Sequence, residues 1–196
     1  MPAETIRVGL IGAGGNTTSR HIPGLKAQAG VETVAVANRS RASGQRVADE
    51  FNIPTVYDDW PSLLAASDID AVCIGTWPNM HKTLTVASLA AGKHVLCEAR
   101  MALDLGDARA MLETSRNHPA LVAQIVPAPH TLAFDQTIQA MIADGYIGEL
   151  IAIDARIAAN RAYPDGSTPI HWRQDRALSG MNVMNMGIWY EAMMRW

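Results

Sequence analysis

Two glycines separated by one residue follow the first apolar run of the chain. The run 6–11 leads directly into Gly12-Ala13-Gly14. In this arrangement the first glycine allows a tight turn, and the second lets backbone N–H groups approach a pyrophosphate at the N-terminus of the next helix. The third glycine of the full dinucleotide fingerprint is missing, because Thr17 stands at its position. The spacing predicts a phosphate-binding turn, with an ordinary glycine turn as the alternative.

A second candidate binding segment follows the valine-rich run 31–37. In a nucleotide-binding α/β domain, the protein contacts the adenosine ribose at this place. A carboxylate there would accept hydrogen bonds from both ribose hydroxyls. The sequence instead reads Asn38-Arg39-Ser40-Arg41. Guanidinium groups bind phosphate through a fork of N–H donors. The segment therefore predicts a preference for the 2′-phosphate of NADP, with NAD as the second choice and a solvated helix start as the alternative.

The elements that must position these residues alternate between strand and helix. Strands that are separated by helices predict right-handed crossovers and a parallel sheet, the α/β class with a Rossmann-type doubly wound sheet. Ligands then bind at the carboxyl ends of the strands, in the loops after residues 11, 37, 75, 97 and 126. Helices are predicted at 19–29, 41–51, 82–91 and 105–117, with Ser40, Asp59 and Asp104 as caps for those starting near 41, 60 and 105.

Pro127-Ala128-Pro129 marks a change of composition, and we place a domain boundary there. Residues 1–127 form the predicted nucleotide-binding domain and 128–196 begin a second domain. A helix is predicted at 130–143. The alternating apolar pattern over 150–158 predicts a half-buried strand of the antiparallel type. The last segment, 181–196, predicts a helix buried on more than one side, which the rest of a longer chain or a partner subunit would cover.

Composition excludes several classes of function. The 196 residues are 48% hydrophobic and 18% charged with a net charge of −3, and they contain no basic run of the kind that binds nucleic acid. No apolar stretch is long enough to span a membrane, and the first residues lack an export signal, which predicts a cytoplasmic protein. Cys73 and Cys97 lie in strand-like runs and are predicted to be reduced core thiols. The scattered histidines predict no metal site.

Several motifs together resemble the Gfo/Idh/MocA family of oxidoreductases, over nearly the whole chain. They are Gly12-x-Gly14 with His21-Ile22-Pro23, Asp68-Ile69-Asp70-Ala71-Val72, Thr76-x-Pro78-x-x-His81, the run 91–98 ending in Glu98, Gly145-x-Ile147-Gly148-Glu149, and Trp172-Arg173-Gln174-Asp175 with Ser179-Gly180.

The resemblance implies an N-terminal Rossmann domain and a C-terminal α/β domain on a large, open, mostly antiparallel sheet, here incomplete because members are usually much longer. It also implies NAD or NADP, a sugar, cyclitol or related polyhydroxy substrate, and a homo-oligomer formed through the second domain. His81 has either a cofactor-loop or a structural role. The positions expected to contact the dinucleotide are Gly12, Gly14, Gly15, Asn16, Thr17, Asn38, Arg39, Ser40, Thr76, Trp77, Pro78, His81 and Glu98.

The catalytic positions of the family are changed in this chain. The usual Glu-Lys-Pro reads Glu98-Ala99-Arg100, so that Ala99 replaces the catalytic lysine. Asn185 and Trp189 stand where the family carries an aspartate and a histidine. None of these three side chains takes up the proton that a hydroxyl must lose as hydride leaves.

Replacements are sought at His171, Arg100 and Tyr190. Of these, only His171 has an ordinary pKa suited to proton transfer near pH 7, and Arg100 supplies charge without acting as a base. A structural role beside Trp172 is the alternative for His171, and an interface role is the alternative for Tyr190 and Glu191. The sequence thus favours an NADP-preferring oxidoreductase, with a second reading as a retooled nucleotide-binding member that catalyses elimination or hydrolysis, or none.

Overall fold

The computed structural model describes residues 5–126, 134–154, 167 and 169–180. The chain divides into two compact units, Met1–Val126 and Pro127–Trp196.

The first unit is built on a six-stranded parallel sheet in the order β3-β2-β1-β4-β5-β6. The strands are β1 Ile6–Ile11, β2 Val31–Ala37, β3 Thr55–Tyr57, β4 Ala71–Ile74, β5 His94–Cys97 and β6 Ala123–Ile125. The strand order reverses between β1 and β4, which is where open α/β sheets form a ligand-binding crevice at their carboxyl edge. The predicted α/β class and Rossmann-type parallel sheet are confirmed.

The helices of the first unit connect these strands. A π-helical turn at Thr17–His21 continues into α1 Ile22–Lys26, and the rest are α2 Arg41–Phe51, α3 Trp60–Ala65, α4 Pro78–Ala90 and α5 Leu105–Asn117. In the second unit the described helices are α6 Asp135–Ala143, a 3-10 turn at Trp172–Gln174 and α7 Arg176–Ser179.

Three helix starts follow directly from their capping residues. The side chains of Ser40, Asp59 and Asp104 each accept a hydrogen bond from the backbone N–H three residues later. Such a bond satisfies one of the N–H groups that have no partner inside the helix. The predicted starts of α2, α3 and α5 are therefore confirmed.

Two predicted helices of the first unit have different bounds. The first begins earlier than Ser19, as the π-helical turn at Thr17, and α1 ends at Lys26 rather than at residue 29. The prediction that α4 starts at Lys82 is also wrong, because the helix begins at Pro78. Proline suits the first helical position, where its fixed φ is already helical and its missing N–H has no partner to lose. His81 consequently lies on the first turn of α4.

Apolar side chains fill both faces of the sheet, as a doubly wound fold requires. Val8 and Leu10 of β1 pack on one face with Val36, Val47 and Ile22, while the other face carries a second cluster. That second cluster contains Ile11, Ile74, Leu84, Leu89 and Met111, from strands and from the helices α4 and α5. The side chains that alternate along β1 therefore anchor helices on opposite sides of the sheet.

The described part of the second unit is helical. Residues 150–154, within the predicted strand 150–158, are exposed and form no strand there, and the remainder of that prediction lies outside the described residues. A strand requires a partner for its backbone groups, and these described residues have no strand pairing. The predicted helix over 181–196 also lies outside the described residues. Within the described ranges, no helix combines the length and the hydrophobicity that a membrane span needs.

An ion pair joins β1 to the loop before β4, at the end of the sheet opposite the glycine turn. The Arg7 guanidinium donates to both carboxylate oxygens of Asp70, at 2.9 and 2.7 Å, and the Arg7 backbone N–H donates to Asp70 at 2.8 Å. These hydrogen bonds lower the pKa of Asp70 from 3.8 to about 2. A carboxylate with a lowered pKa stabilises the fold above its unfolded pKa, and the effect is lost as the pH falls through the folded value.

We expect Asp70→Asn to lower the free energy of unfolding at pH 7 by about 1 kcal/mol or less, because solvent screens this partly exposed pair. The difference from wild type should shrink as the pH falls below 3.8 and disappear only well below pH 2, where Asp70 is protonated in both states. Urea unfolding at a series of pH values measures this. Asp58→Asn, in the more exposed pair with Arg41, controls for net charge. A difference that stays constant down to the lowest pH would contradict the prediction.

Candidate functional site

The turn after β1, residues 12–17, is shaped by a close approach between two strand ends; we call it the glycine turn. Gly12 has a φ of +83°, and a Cβ atom on it would lie 2.5 Å from Thr76 Cγ2 and 2.8 Å from the Thr76 backbone nitrogen. Both the left-handed conformation and the lack of space require glycine here. Gly12 therefore lets the end of β1 pass against the residue that follows the end of β4.

Thr17, which replaces the third glycine of the fingerprint, is accommodated by a glycine on another strand. A Cβ atom on Gly75 would lie 2.0 Å from Thr17 Oγ1 and 2.7 Å from the Gly12 carbonyl oxygen. Thr17 is buried, and its hydroxyl donates to the Gly12 carbonyl at 3.3 Å. In the full fingerprint, the third glycine leaves space on the helix side of this contact. Here Gly75, which follows β4, leaves that space on the opposite side. The Thr17 side chain thus braces the turn from inside.

The outer side of the glycine turn is open and rich in unused donors. A Cβ atom on Gly14 or Gly15 would meet no atom within 4 Å. The Gly14 N–H donates to Gly12 O, but among the described residues the N–H groups of residues 15–17 have no acceptor. Successive free N–H groups at the start of a helical segment favour an anion. The glycine turn therefore fits a phosphate group.

Asn38 braces the glycine turn from the end of β2. Its side-chain oxygen accepts the Ala13 N–H at 2.7 Å, and the Gly12 N–H donates to the Ala37 carbonyl at 3.0 Å. The amide oxygen of Asn38 is thus committed to the protein backbone. Asn38 therefore holds the turn in place.

Arg39 and Arg41 differ in what they bind, although both are exposed at the start of α2. Arg41 forms an ion pair with Asp58 at 2.8 Å. Arg39 forms no ion pair with any described residue, and its guanidinium lies over the Trp77 ring, 5.4 Å from the centroid. The Ser40 hydroxyl caps α2 by accepting from the Ser43 N–H. Arg39 is therefore the cation at this site that retains its donors for a phosphate.

A cluster of hydrogen bonds joins the end of β5 to the glycine turn; we call Asn16, His21, Glu98 and Ala99 the Glu98 cluster. Glu98 Oε1 accepts from Asn16 Nδ2 and lies 2.5 Å from His21 Nε2, while Oε2 accepts the Ala99 N–H at 2.9 Å. Burial raises the pKa of Glu98, but the hydrogen bonds from His21, Asn16 and the Ala99 N–H outweigh that effect, and the pKa lies below its ordinary value. The carboxylate therefore stays charged at neutral pH.

The loop and first helical turn after β4 place two further polar side chains beside the crevice. Thr76 Oγ1 and Asn79 Oδ1 are buried without a hydrogen-bond partner among the described residues. Burying a polar atom without a partner is costly, which favours a ligand as the missing partner. The sequence interpretation missed Asn79. Taking Pro78 as the first residue of α4 would have placed Asn79 on the first turn of that helix.

His81 is fully buried and contacts the loop after β4 from the protein interior. Its Nδ1 lies 2.7 Å from the Arg100 carbonyl oxygen and its Nε2 lies 3.0 Å from the Thr76 carbonyl oxygen. Burial lowers the pKa of His81, although both carbonyls oppose this. Because both ring nitrogens face backbone carbonyls, His81 ties the segment after β4 to the segment after β5. The structural role is the one that these contacts support.

The candidate proton-transfer residues fall in both units. The half-buried Arg100 follows β5 in the first unit, next to Ala99, which has no proton to transfer. In the second unit, exposed His171 begins the 3-10 turn, and its Nδ1 accepts the Arg173 N–H at 3.2 Å while Gln174 accepts the His171 N–H. Tyr190, with Glu191, Asn185 and Trp189, lies outside the described residues.

The two thiols take no part in the site. Cys73 and Cys97 are free and buried, and burial raises the pKa of each to about 12. Neither is a nucleophile near pH 7. In the described ranges, no three histidine, cysteine or acidic side chains come together in a way that would hold a metal ion.

Both parts of the chain match profiles of one protein family. Residues 6–126 match the profile described as "Oxidoreductase family, NAD-binding Rossmann fold", and residues 136–196 match the "GFO/IDH/MocA C-terminal domain".

Two curated relatives illustrate the level of similarity. The chain is 32% identical over 184 residues to 1,5-anhydro-D-fructose reductase of Ensifer adhaerens, which covers 91% of this chain and 52% of that protein. It is 29% identical over 157 residues to D-glucoside 3-dehydrogenase of Escherichia coli K12, which covers 80% of this chain and 44% of that protein. The chain spans about half the length of the curated relatives it matches.

Solved structures show the same architecture. A 3-ketoreductase from Actinomadura kijaniata, solved with NADP, superimposes with a TM-score of 0.64 at 29% identity, over 74% of this chain and 46% of that one. A scyllo-inositol dehydrogenase from Lactobacillus casei superimposes with a TM-score of 0.67 over 76% of this chain and 44% of that one. Its 23% identity supports a likeness of fold alone.

We expect Gly75→Ala to destabilise the first unit by about 1–3 kcal/mol, because the new methyl group overlaps Thr17 Oγ1 and the Gly12 carbonyl. Gly15→Ala is the matched control, since its Cβ meets no atom within 4 Å. Its effect on the free energy of unfolding should stay within about 1 kcal/mol. Thermal and urea unfolding of both variants measures the contrast, and equal effects would refute the tight contact between Thr17 and Gly75.

Proposed function

Because the chain belongs to the Gfo/Idh/MocA family of oxidoreductases, we propose that this protein is an NADP-preferring oxidoreductase acting on a sugar, a cyclitol or a related polyhydroxy compound. The observation that carries the proposal is the open glycine turn, whose N–H groups at residues 15–17 have no acceptor among the described residues. The substrate class is supported by two relatives named as a 1,5-anhydro-D-fructose reductase and a D-glucoside 3-dehydrogenase.

Different residues of the first unit bind different parts of the dinucleotide. The glycine turn binds the pyrophosphate through the N–H groups of residues 15–17. Arg39 binds the 2′-phosphate, because Arg41 is already paired with Asp58. When bound, the nicotinamide ring of such a dinucleotide accepts or donates a hydride.

One nucleoside of the dinucleotide lies on the β4–β5 side of the crevice in this proposal, where it contacts the remaining polar atoms. Glu98 Oε2 accepts only the Ala99 N–H among the described residues and keeps a lone pair for a ribose hydroxyl. Thr76 Oγ1 and Asn79 Oδ1 are buried polar atoms on the same side. The other predicted positions, Trp77, Pro78 and His81, shape this loop.

Proton transfer at the substrate cannot use the catalytic lysine of the family, because Ala99 stands at that position and has no titratable group. His171 is the proposed replacement. Its Nδ1 accepts the Arg173 N–H, so the neutral ring carries its proton on Nε2 and that atom donates. His171 in this arrangement orients a substrate oxygen, and it accepts a proton at Nε2 only after the contact with Arg173 breaks and the ring changes tautomer. Arg100 supplies positive charge, and Tyr190 stays a sequence-based candidate.

A second candidate function is favoured by Ala99. A family member without the lysine retains the dinucleotide site but uses it for elimination or hydrolysis, or for no turnover. Both candidates share the binding residues of the first unit. Incubating the full chain with each dinucleotide and a panel of sugars and cyclitols, and following reduced nicotinamide, separates them: binding without hydride transfer favours the second candidate.

Exposed apolar side chains of the second unit and the free thiols of the first unit support two further parts of the proposal. Residues 128–196 begin the substrate domain, which in a homo-oligomer also forms the subunit interface. Large apolar side chains are exposed there, among them Phe134, Tyr146, Ile151 and Ile170. Exposed apolar surface of this kind marks contacts with further protein. The two free thiols suit a reducing compartment such as the cytoplasm.

We expect Arg39→Ala to weaken NADP binding by about tenfold or more, because charge-assisted hydrogen bonds to the 2′-phosphate are lost. NAD binding should not change. Arg41→Ala is the matched control, since Arg41 is tied to Asp58, and it should leave the ratio of the two dissociation constants near that of wild type. Calorimetric titration with each dinucleotide measures the ratios. Equal wild-type affinities for NADP and NAD would contradict the proposed preference.

We expect His171→Asn to lower turnover by about a hundredfold if His171 handles the proton, since general acid–base catalysis contributes at least that much. His118→Asn, at the end of α5 and outside the proposed site, serves as the control. Steady-state rates across a range of pH measure both variants. Near-normal turnover of His171→Asn at every pH would exclude His171 from this role.

A further inference from the structure

The two residues of the Arg39–Trp77 contact come from different crossovers of the sheet. Arg39 follows β2 and is exposed, while Trp77 follows β4 and is half-buried. The guanidinium carbon lies 5.4 Å from the centroid of the indole. The contact thus spans the crevice edge from the β2 side to the β4 side, across the end of β1.

The backbone of Trp77 is fixed more tightly than that of most loop residues. Trp77 is the residue before Pro78, which restricts it to extended conformations, and its φ and ψ are −78° and 156°. It is also the N-cap residue of α4, whose first turn carries buried His81. The indole is therefore attached to a rigid point of the site.

Stacking over the ring orients Arg39 without using its hydrogen-bond donors. A long exposed arginine otherwise samples many rotamers, and ordering it on binding costs free energy. A cation over an aromatic ring interacts with the ring's negative face, whereas an ion pair with a carboxylate occupies the N–H groups. The neighbouring Arg41, by contrast, binds the Asp58 carboxylate. Arg39 is thus held in place with its N–H fork available.

We propose that Trp77 is a specificity-determining residue of this protein, because it positions Arg39 to recognise a 2′-phosphate. The inference rests on the proposed dinucleotide function and deepens it. Trp77 acts through Arg39 and is a positioning residue. Its removal should lower the affinity for ligands that carry a 2′-phosphate and leave the affinity for ligands without one unchanged.

The test uses two probes that differ only in that phosphate, 2′,5′-ADP and 5′-AMP, titrated into the full chain. Trp77→Leu should weaken 2′,5′-ADP binding by about two- to fivefold, the range of an exposed cation–π contact, with no change for 5′-AMP. Trp77→Phe keeps an aromatic face and should retain most of the preference. In the Arg39→Ala background, Trp77→Leu should have no further effect on the 2′,5′-ADP affinity.

A nuclear magnetic resonance measurement keeps the test independent of how well a Trp77 variant folds. Arg39 is exposed, so Arg39→Ala leaves the core intact, and it should shift the indole N–H resonance of Trp77 if the contact exists in solution. Arg41→Ala should leave that resonance in place. An unshifted resonance in Arg39→Ala would overturn the proposal.

The remaining outcomes separate this inference from the proposed function. Wild-type preference for 2′,5′-ADP that survives Trp77→Leu overturns the inference and leaves the proposed NADP preference standing. Equal weakening of both probes by Trp77→Leu places the indole against the adenine, and also overturns the inference. Equal wild-type affinity for both probes overturns the NADP preference and this inference together.

Discussion

The site depends on how closely two parallel strand ends approach each other at the point where the sheet order reverses. Gly12 and Gly75 are the positions where a single methyl group would collide with the neighbouring backbone. This close approach fixes the direction of the glycine turn, and thereby presents the N–H groups of residues 15–17 outward rather than into the protein. Asn38, bonded to the Ala13 N–H, and Glu98, bonded to Asn16, then hold the turn from the β2 and the β5 sides. The geometry that suits an anion is therefore a result of the packing between the ends of β1 and β4 and not of the turn alone.

A carboxylate beside a site for an anion needs compensation, and the Glu98 cluster provides it. Asn16 and His21 donate to one oxygen and the Ala99 N–H to the other, so the charge is shared among fixed donors. The same bonds connect positions 82 and 77 residues apart along the chain. Glu98 in this setting stabilises the edge of the crevice, where the uncharged Ala99 and the cationic Arg100 follow it.

Local signals in the sequence are sufficient to predict most strands of the sheet and the starts of the capped helices. Ser40, Asp59 and Asp104 act within three residues of themselves, so their effect is visible in the sequence. The features that were not foreseen depend on partners distant in sequence. Thr17 suggested a defective fingerprint, because nothing in its neighbourhood points to Gly75. Arg39 and Arg41 look equivalent until Asp58 is seen to bind one of them. The strand expected at 150–158 would need a pairing partner, and the described residues supply none.

The pairing of β1 with β4 also has a consequence for the order in which the molecule acquires its properties. The glycine turn belongs to the first residues of the chain, but Gly75 and Thr76, which pack against it, follow only after two complete strand–helix units. Contacts between segments so far apart form late and slowly, because a long loop must close first. A chain emerging from the ribosome therefore carries the turn well before it can bind a nucleotide. Once β4 has docked, any nucleotide that binds selects the completed sheet over partly folded forms and raises its stability by mass action. A dinucleotide bound at the proposed site would in this way stabilise the folded sheet as well as occupy its crevice.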